Sequence, residues 1–124
     1  MKELAANPYL QGNFAPLRQE IDCAAEVVGE APPSLRGRLL RIGPNPQFDP
    51  LAPYHWFTGD GMVHAFTFAE GAVTYSNRYV KTPKWRLENQ AGRALFASFD
   101  PAASDPLAHG HNGGVANTSI VQHA

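Results

Sequence analysis

Two runs of alternating side chains meet at Glu70-Gly71, and this feature constrains the fold of the chain more than any other. In Met62-Val-His-Ala-Phe-Thr-Phe68, the residues His64, Phe66 and Phe68 fall on one face and Val63, Ala65 and Thr67 on the other. That two-residue period belongs to a strand. In Val73-Thr-Tyr-Ser-Asn-Arg-Tyr-Val80, the residues Val73, Tyr75, Asn77 and Tyr79 share a face. Strand, glycine-containing turn and strand together predict a β-hairpin. Both faces of the first run carry apolar residues, which predicts a strand lying between two layers.

The rest of the chain reads as short strands and turns. Arg38-Leu-Leu-Arg-Ile42, bounded by Gly37 and Gly43, suits a buried strand. Glu26-Val-Val28 is a candidate short strand, Pro33-Ser-Leu-Arg36 a single helical turn, and residues 115–123 a last strand. Residues 84–92 read as loop or a weak helical turn, 94–99 suit strand or helix, and 100–114 read as loop. The 11 Gly and 11 Pro argue for many turns rather than long helices. With 44% hydrophobic residues a packed core is expected. A length of 124 residues allows one ordinary domain. The run 115–124 reads as a strand in mid-course, which predicts a chain truncated at that end.

Charge and targeting signals narrow the function classes. A formal net charge of −1 gives no electrostatic case for nucleic acid or an anionic membrane as partner. The single Cys23 excludes an internal disulfide. The first residues are too short an apolar run for a signal peptide, and no stretch approaches the ~20 apolar residues of a membrane span. A soluble, cytoplasmic chain is expected.

Few residues suggest chemistry. Gly59-Asp60-Gly61 reads as a structural tight turn in which glycine supplies φ > 0 and Asp60 caps nearby N–H groups. Asp60 as a catalytic base is the sharper alternative, but no second carboxylate lies within reach along the sequence. His109-Gly-His111 would point the same way on a strand and chelate a metal. Here the pair sits in a Gly- and Pro-rich stretch without a Cys or carboxylate at a familiar spacing. His64, on an apolar strand face, reads as a packed histidine, and so do His55 and His123. Tyr54, Trp56, Phe57, Phe66, Phe68 and Tyr75 form an aromatic set that serves either an apolar pocket or sheet packing. No phosphate-binding loop, nucleophile elbow or basic patch is present. The residues by themselves specify no reaction.

Five motifs in order carry a resemblance. They are Leu10-Gln-Gly-Asn-Phe-Ala-Pro16, Leu35-Arg-Gly-Arg-Leu-Leu-Arg-Ile-Gly-Pro-Asn-Pro46, Tyr54-His-Trp-Phe-Thr-Gly-Asp-Gly-Met-Val-His-Ala65, Asn77-Arg-Tyr-Val-Lys-Thr82 and Gly114-Val-Ala-Asn-Thr118. Together they resemble the N-terminal part of the carotenoid cleavage oxygenases. The resemblance implies an all-β fold, the first one to two blades of a seven-bladed β-propeller. Residues 1–34 would be an N-terminal arm and Pro-rich loop, and residues 35–124 a partial propeller.

The resemblance also implies a non-haem Fe(II) dioxygenase whose iron is held by four histidines. None of His55, His64, His109, His111 or His123 falls at a matching position, so no metal site and no catalytic residue is carried over. The segment alone is expected to be inactive and to bind no iron. The full-length protein is expected to cleave a conjugated C=C bond of a carotenoid or apocarotenoid with O2. The partners so implied are an apolar polyene or stilbene and O2. Residues 81–88 and 92–96 are also similar to the lignostilbene-cleaving branch, the alternative reading. That branch typically has a phenol-binding Tyr where this chain has Phe99, which cannot donate the hydrogen bond. Phe57 and Phe99 are the residues expected to face the substrate tunnel, with Gly59, Asp60 and Gly61 as a structural motif. A self-contained, non-enzymatic β-rich binding module is the remaining alternative.

Overall fold

The structure, a computed structural model, describes residues 6–123. Residues 1–5, read above for a targeting segment, lie outside that range, as does Ala124 at the end of the expected last strand. Four strands form one antiparallel sheet: β1 (Asp22–Ala24), β2 (Gly37–Pro44), β3 (Gly61–Ala69) and β4 (Ala72–Tyr79), in the order β1-β4-β3-β2. One helix, α1 (Pro83–Ala91), and five short 3₁₀ turns complete the regular structure among the described residues.

The β3–β4 hairpin forms where the two alternating runs place it. Ala69 faces Ala72, Phe66 faces Tyr75 and Met62 faces Tyr79. Glu70 and Gly71 both have positive φ, 54° and 82°. That pair of angles matches the right-handed twist of the flanking strands. β2 spans more than the run 38–42, pairing from Gly37 opposite Phe68 to Pro44 opposite Gly61, and it is an exposed edge strand rather than the buried one expected, with Leu39 and Leu40 both exposed.

Further expectations are corrected. Glu26-Val-Val28 is not a strand, and Val28 is almost fully exposed. The strand lies earlier, at β1, where the Asp22 carboxylate accepts from Arg78 of β4 at 2.6 Å and Ala25 N–H donates to the Val73 carbonyl at 2.9 Å. Residues 115–123 alternate in sequence but form no strand: apart from the bond between Gly61 N–H and the Val115 carbonyl, no strand among the described residues pairs with them. β3 is also not sandwiched. Residues Val63–Phe68 are only half-buried, and no second sheet covers either face among the described residues.

Pro33-Ser-Leu-Arg36 contributes a single hydrogen-bonded turn, Leu35 N–H to the Pro32 carbonyl. Residues 94–99 are neither strand nor helix. The loop 100–114 carries two 3₁₀ turns, Pro101–Ala103 and Pro106–Ala108, with Asp100 and Asp105 as side-chain caps.

The arm is tied to the sheet by two asparagines acting as surrogate backbone. Asn77 Oδ1 accepts from Ile21 N–H at 2.6 Å while its Nδ2 donates to the Gln19 carbonyl at 3.1 Å. Asn45 does the same for Leu17, at 2.7 Å in both directions. Both asparagines are buried, so each amide would carry a desolvation cost without these partners. The sheet therefore draws on both sides of residue 34, with β1 supplied by the arm.

The apolar core sits at one end of the sheet, not across its faces. Met62 and Leu95 are fully buried there, with Tyr54, Ala94 and Ala108 beside them. They come from the start of β3, the loop before it and the chain that follows α1.

Candidate functional site

Helix α1 begins and ends on local signals. Thr82 Oγ1 accepts from Trp85 N–H at 3.1 Å, Pro83 occupies the first turn, and Gly92 closes the helix in the left-handed region at φ 71°. These are the standard N-cap and C-cap solutions. Lys84 and Glu88, four residues apart, then lie on one face, and both are buried.

That face meets the Gly59-Asp60-Gly61 corner. Lys84 Nζ lies 2.7 Å from Asp60 Oδ1 and 2.8 Å from Glu88 Oε2. The three side chains are 7%, 1% and 2% exposed respectively. The carboxylates use their remaining oxygens on backbone. Asp60 Oδ2 accepts from Gln47 N–H at 3.1 Å, and Glu88 Oε1 accepts from Leu95 and Phe96 N–H at 2.8 and 3.2 Å. Burial pushes the Asp60 carboxyl above its ordinary pKa, against the opposing pull of the Lys84 ammonium. Burial, with Asp60 nearby, also raises the Tyr54 phenol.

The structural role of Gly59-Asp60-Gly61 has a different cause from the one expected. Neither glycine has positive φ. Both are required by close approach instead. A Cβ on Gly59 would lie 2.5 Å from the Tyr54 hydroxyl and 2.9 Å from Pro44 Cβ. A Cβ on Gly61 would collide with the Ala116 carbonyl oxygen. Asp60 does cap an N–H group, that of Gln47, but its main partner is Lys84.

Beside the triad lies an open cleft of about 680 Å3, walled by Phe57, Phe96, Phe99, Pro101 and Val115, with Lys84 at its edge. The structure brings Phe57 and Phe99 together at this cleft. Their rings flank His55, with centroids 4.6 and 5.5 Å from the imidazole, and both are largely exposed. His55 Nδ1 accepts from Phe57 N–H at 3.2 Å, which orients the ring. Phe99 sits at φ 56°, a strained backbone for a bulky side chain.

The remaining histidines separate by environment. His109 and His111 line the same cleft. No group of three or more His, Cys, Asp and Glu side chains suited to a metal ion occurs among the described residues. Among the described residues, His109 and His111 have no such companions for a metal ion. His64 is half-buried with its Nδ1 2.7 Å from the Tyr75 hydroxyl. The other aromatics divide in two: Phe66 and Tyr75 pair on the sheet, with centroids 5.1 Å apart, while Trp56 stacks with Tyr9 of the arm at 5.7 Å.

Sequence reasoning missed Lys84 and Glu88. The signal for them was present: Thr82-Pro83 as a helix start, Gly92 as its end, and a Lys–Glu pair at i, i+4 between them. Among the described residues no helix is long and apolar enough to cross a membrane.

Four-stranded sheets are the blades from which β-propellers are assembled. The family described as RPE65, retinal pigment epithelial membrane protein, matches residues 14–124, and the chain belongs to that family. It is 48% identical over 90 residues to a carotenoid 9,10(9′,10′)-cleavage dioxygenase 1 of Arabidopsis thaliana, covering 71% of this chain and 17% of that protein. The structure superimposes on Pseudomonas brassicacearum lignostilbene dioxygenase with a TM-score of 0.86 and 34% identity, over 95% of this chain and 25% of that one. A cobalt-substituted Synechocystis apocarotenoid oxygenase aligns at a TM-score of 0.59 and 33% identity, over 71% and 20%. The chain spans from about a sixth to a quarter of the length of these relatives. It carries the partial propeller that the resemblance implied.

Proposed function

We propose that this chain forms the first part of a dioxygenase that cleaves a conjugated C=C bond of a carotenoid or apocarotenoid with O2. The observation that carries the reading is the cleft: Phe57 and Phe99, exposed at its mouth, meet Phe96 and Val115 in a largely apolar wall. An apolar wall binds a polyene by area, at about 25 cal/mol per Å2 buried, and requires no polar anchor. Membership of the family and 48% identity to a carotenoid-cleaving relative support the same substrate class. The iron that the resemblance implies would be held by residues outside this chain.

Lignostilbene cleavage is the second reading. The TM-score of 0.86 to a lignostilbene dioxygenase favours it. Phe99 weighs against it, since a phenyl ring offers no hydrogen bond to a phenolic substrate. A self-contained binding module fits less well, because the matched relatives are oxygenases.

Incubation of the full-length, Fe(II)-loaded protein with an apocarotenal and with a 4-hydroxystilbene, under O2 and under argon, tests this. Loss of polyene absorbance under O2, faster than loss of stilbene absorbance, is the expected result. Faster turnover of the stilbene transfers the assignment to the second reading, and turnover of neither rejects both.

A further inference from the structure

We propose that Lys84 is a positioning residue that holds the Leu95–Phe96 wall of the aromatic cleft, acting through the Glu88 carboxylate. Residues 94–97 belong to no helix or strand, so their backbone amides depend on side chains for partners. Glu88 Oε1 serves the Leu95 and Phe96 amides, and Ser104 Oγ serves that of Ala97 at 2.9 Å. Both of those bonds fall on one oxygen of Glu88, and the other oxygen, buried as well, needs a donor of its own. Lys84 holds that oxygen, at 2.8 Å, and is itself held by Asp60 at 2.7 Å.

The chain of contacts runs from the sheet to the cleft without a gap. Asp60 adjoins the start of β3, its carbonyl accepts from Asn45 N–H at 2.6 Å, and its Oδ2 accepts from Gln47 N–H. Lys84 carries that anchorage across to α1, and Glu88 carries it on to Leu95 and Phe96. The Lys84 ammonium also lies 5.9 Å from the centre of the Phe96 ring, whose negative face favours a cation. Leu95 is fully buried, so a wall that lost Glu88 would have to shift a core residue.

Packing alone gives no reason for this arrangement. Burying an ammonium between two carboxylates costs several kcal/mol per ion in desolvation, and apolar side chains of similar volume often replace such groups without loss of stability. Apolar side chains cannot, however, accept from two amides of an irregular segment. The charges are retained here where backbone must be held in place beside the cleft.

Hydrogen exchange in the full-length protein tests the idea independently of any activity. In Lys84→Met, exchange at Leu95 and Phe96 is expected to be at least about tenfold faster, with the β3–β4 hairpin amides unchanged; a general loss of stability would speed them all. Unchanged protection at Leu95 and Phe96 overturns the proposal, and so does equal acceleration everywhere. Should Lys84→Met fail to fold, Glu88→Gln and Glu88→Ala decide. Gln keeps a carbonyl oxygen for the two amides but turns an NH2, which cannot accept, toward the Lys84 ammonium, so protection at Leu95 and Phe96 is expected to fall in Glu88→Gln as well as in Glu88→Ala. Full protection kept in Glu88→Gln overturns the proposal.

A kinetic arm rests on the proposed function. KM for an apocarotenal is expected to rise about fivefold or more in Lys84→Met, with kcat within twofold. A fall in kcat at constant KM contradicts the positioning role. If the unmodified protein turns over neither substrate, the functional reading fails and the exchange experiment still decides Lys84.

Discussion

Gly61 and Ala116 meet backbone to backbone, 55 residues apart in the chain, with no room for a Cβ between Gly61 and the Ala116 carbonyl. Gly61 N–H donates to the neighbouring Val115 carbonyl at 2.9 Å, and Gly61 O accepts from Val80 N–H at 2.8 Å. Asn117 Nδ2 donates to the Gly59 and Phe57 carbonyls at 2.8 and 3.0 Å. Residues 115–117 are thus stitched to the corner that carries Asp60.

Gly61→Ala should be costly for this reason. The obstacle is backbone, which cannot swing aside as a side chain does. A loss of about 3 kcal/mol is expected, at the upper end of typical overpacking. Gly43→Ala provides the control. It has nothing within 4 Å of its Cβ position and no positive φ, so it is expected to be neutral or to stabilise by up to about 1 kcal/mol. Urea unfolding of both variants measures the difference.

Asn77→Ala should loosen the arm. The substitution leaves Ile21 N–H and the Gln19 carbonyl without their partner in a buried setting, at a cost of about 1–3 kcal/mol. Limited proteolysis should then cut within residues 15–21 faster than in the unmodified protein. Asn77→Asp keeps the acceptor but loses the donor, so it is not expected to rescue the arm.

His64 should give stability a pH slope. Burial, then the nearby Arg41 charge, holds its pKa below the ordinary 6.5. The unfolded chain therefore binds the proton more readily than the folded one. This contribution is fully present above about pH 6.5 and is lost as the pH falls through the lower folded-state value. His64→Gln should flatten the slope between pH 7.5 and 5.5, read as the urea midpoint against pH. An unchanged slope would show that His64 does not contribute.

Phe99 should trade stability against specificity. Phe99→Gly removes the strain of a bulky residue at φ 56° and is expected to stabilise the fold by about 1 kcal/mol. Phe99→Tyr adds a donor at the mouth of the cleft. On the proposed function it should raise turnover of a 4-hydroxystilbene relative to an apocarotenal by up to about tenfold, one hydrogen bond's worth. Thermal melts and the paired absorbance assay read the two effects.

What the sequence alone determined is what neighbours along the chain decide. The hairpin follows from two alternating runs that meet at a glycine-containing turn. The caps of α1 at Thr82 and Gly92 are equally local, although the polar stretch between them hid the helix by lacking an apolar stripe. The tertiary structure decided everything that needs a distant partner. Residues 115–123 have strand-like alternation, yet a ladder requires a second strand; among the described residues none pairs with them, and residues 115–117 brace the Gly59–Gly61 corner instead. Gly59 and Gly61 look like turn glycines, but the backbone and side chains that crowd them come from other segments. Lys84 reads as a surface lysine on a polar helix. Only folding brings Asp60 to its ammonium, and only that meeting makes burial of the charge affordable.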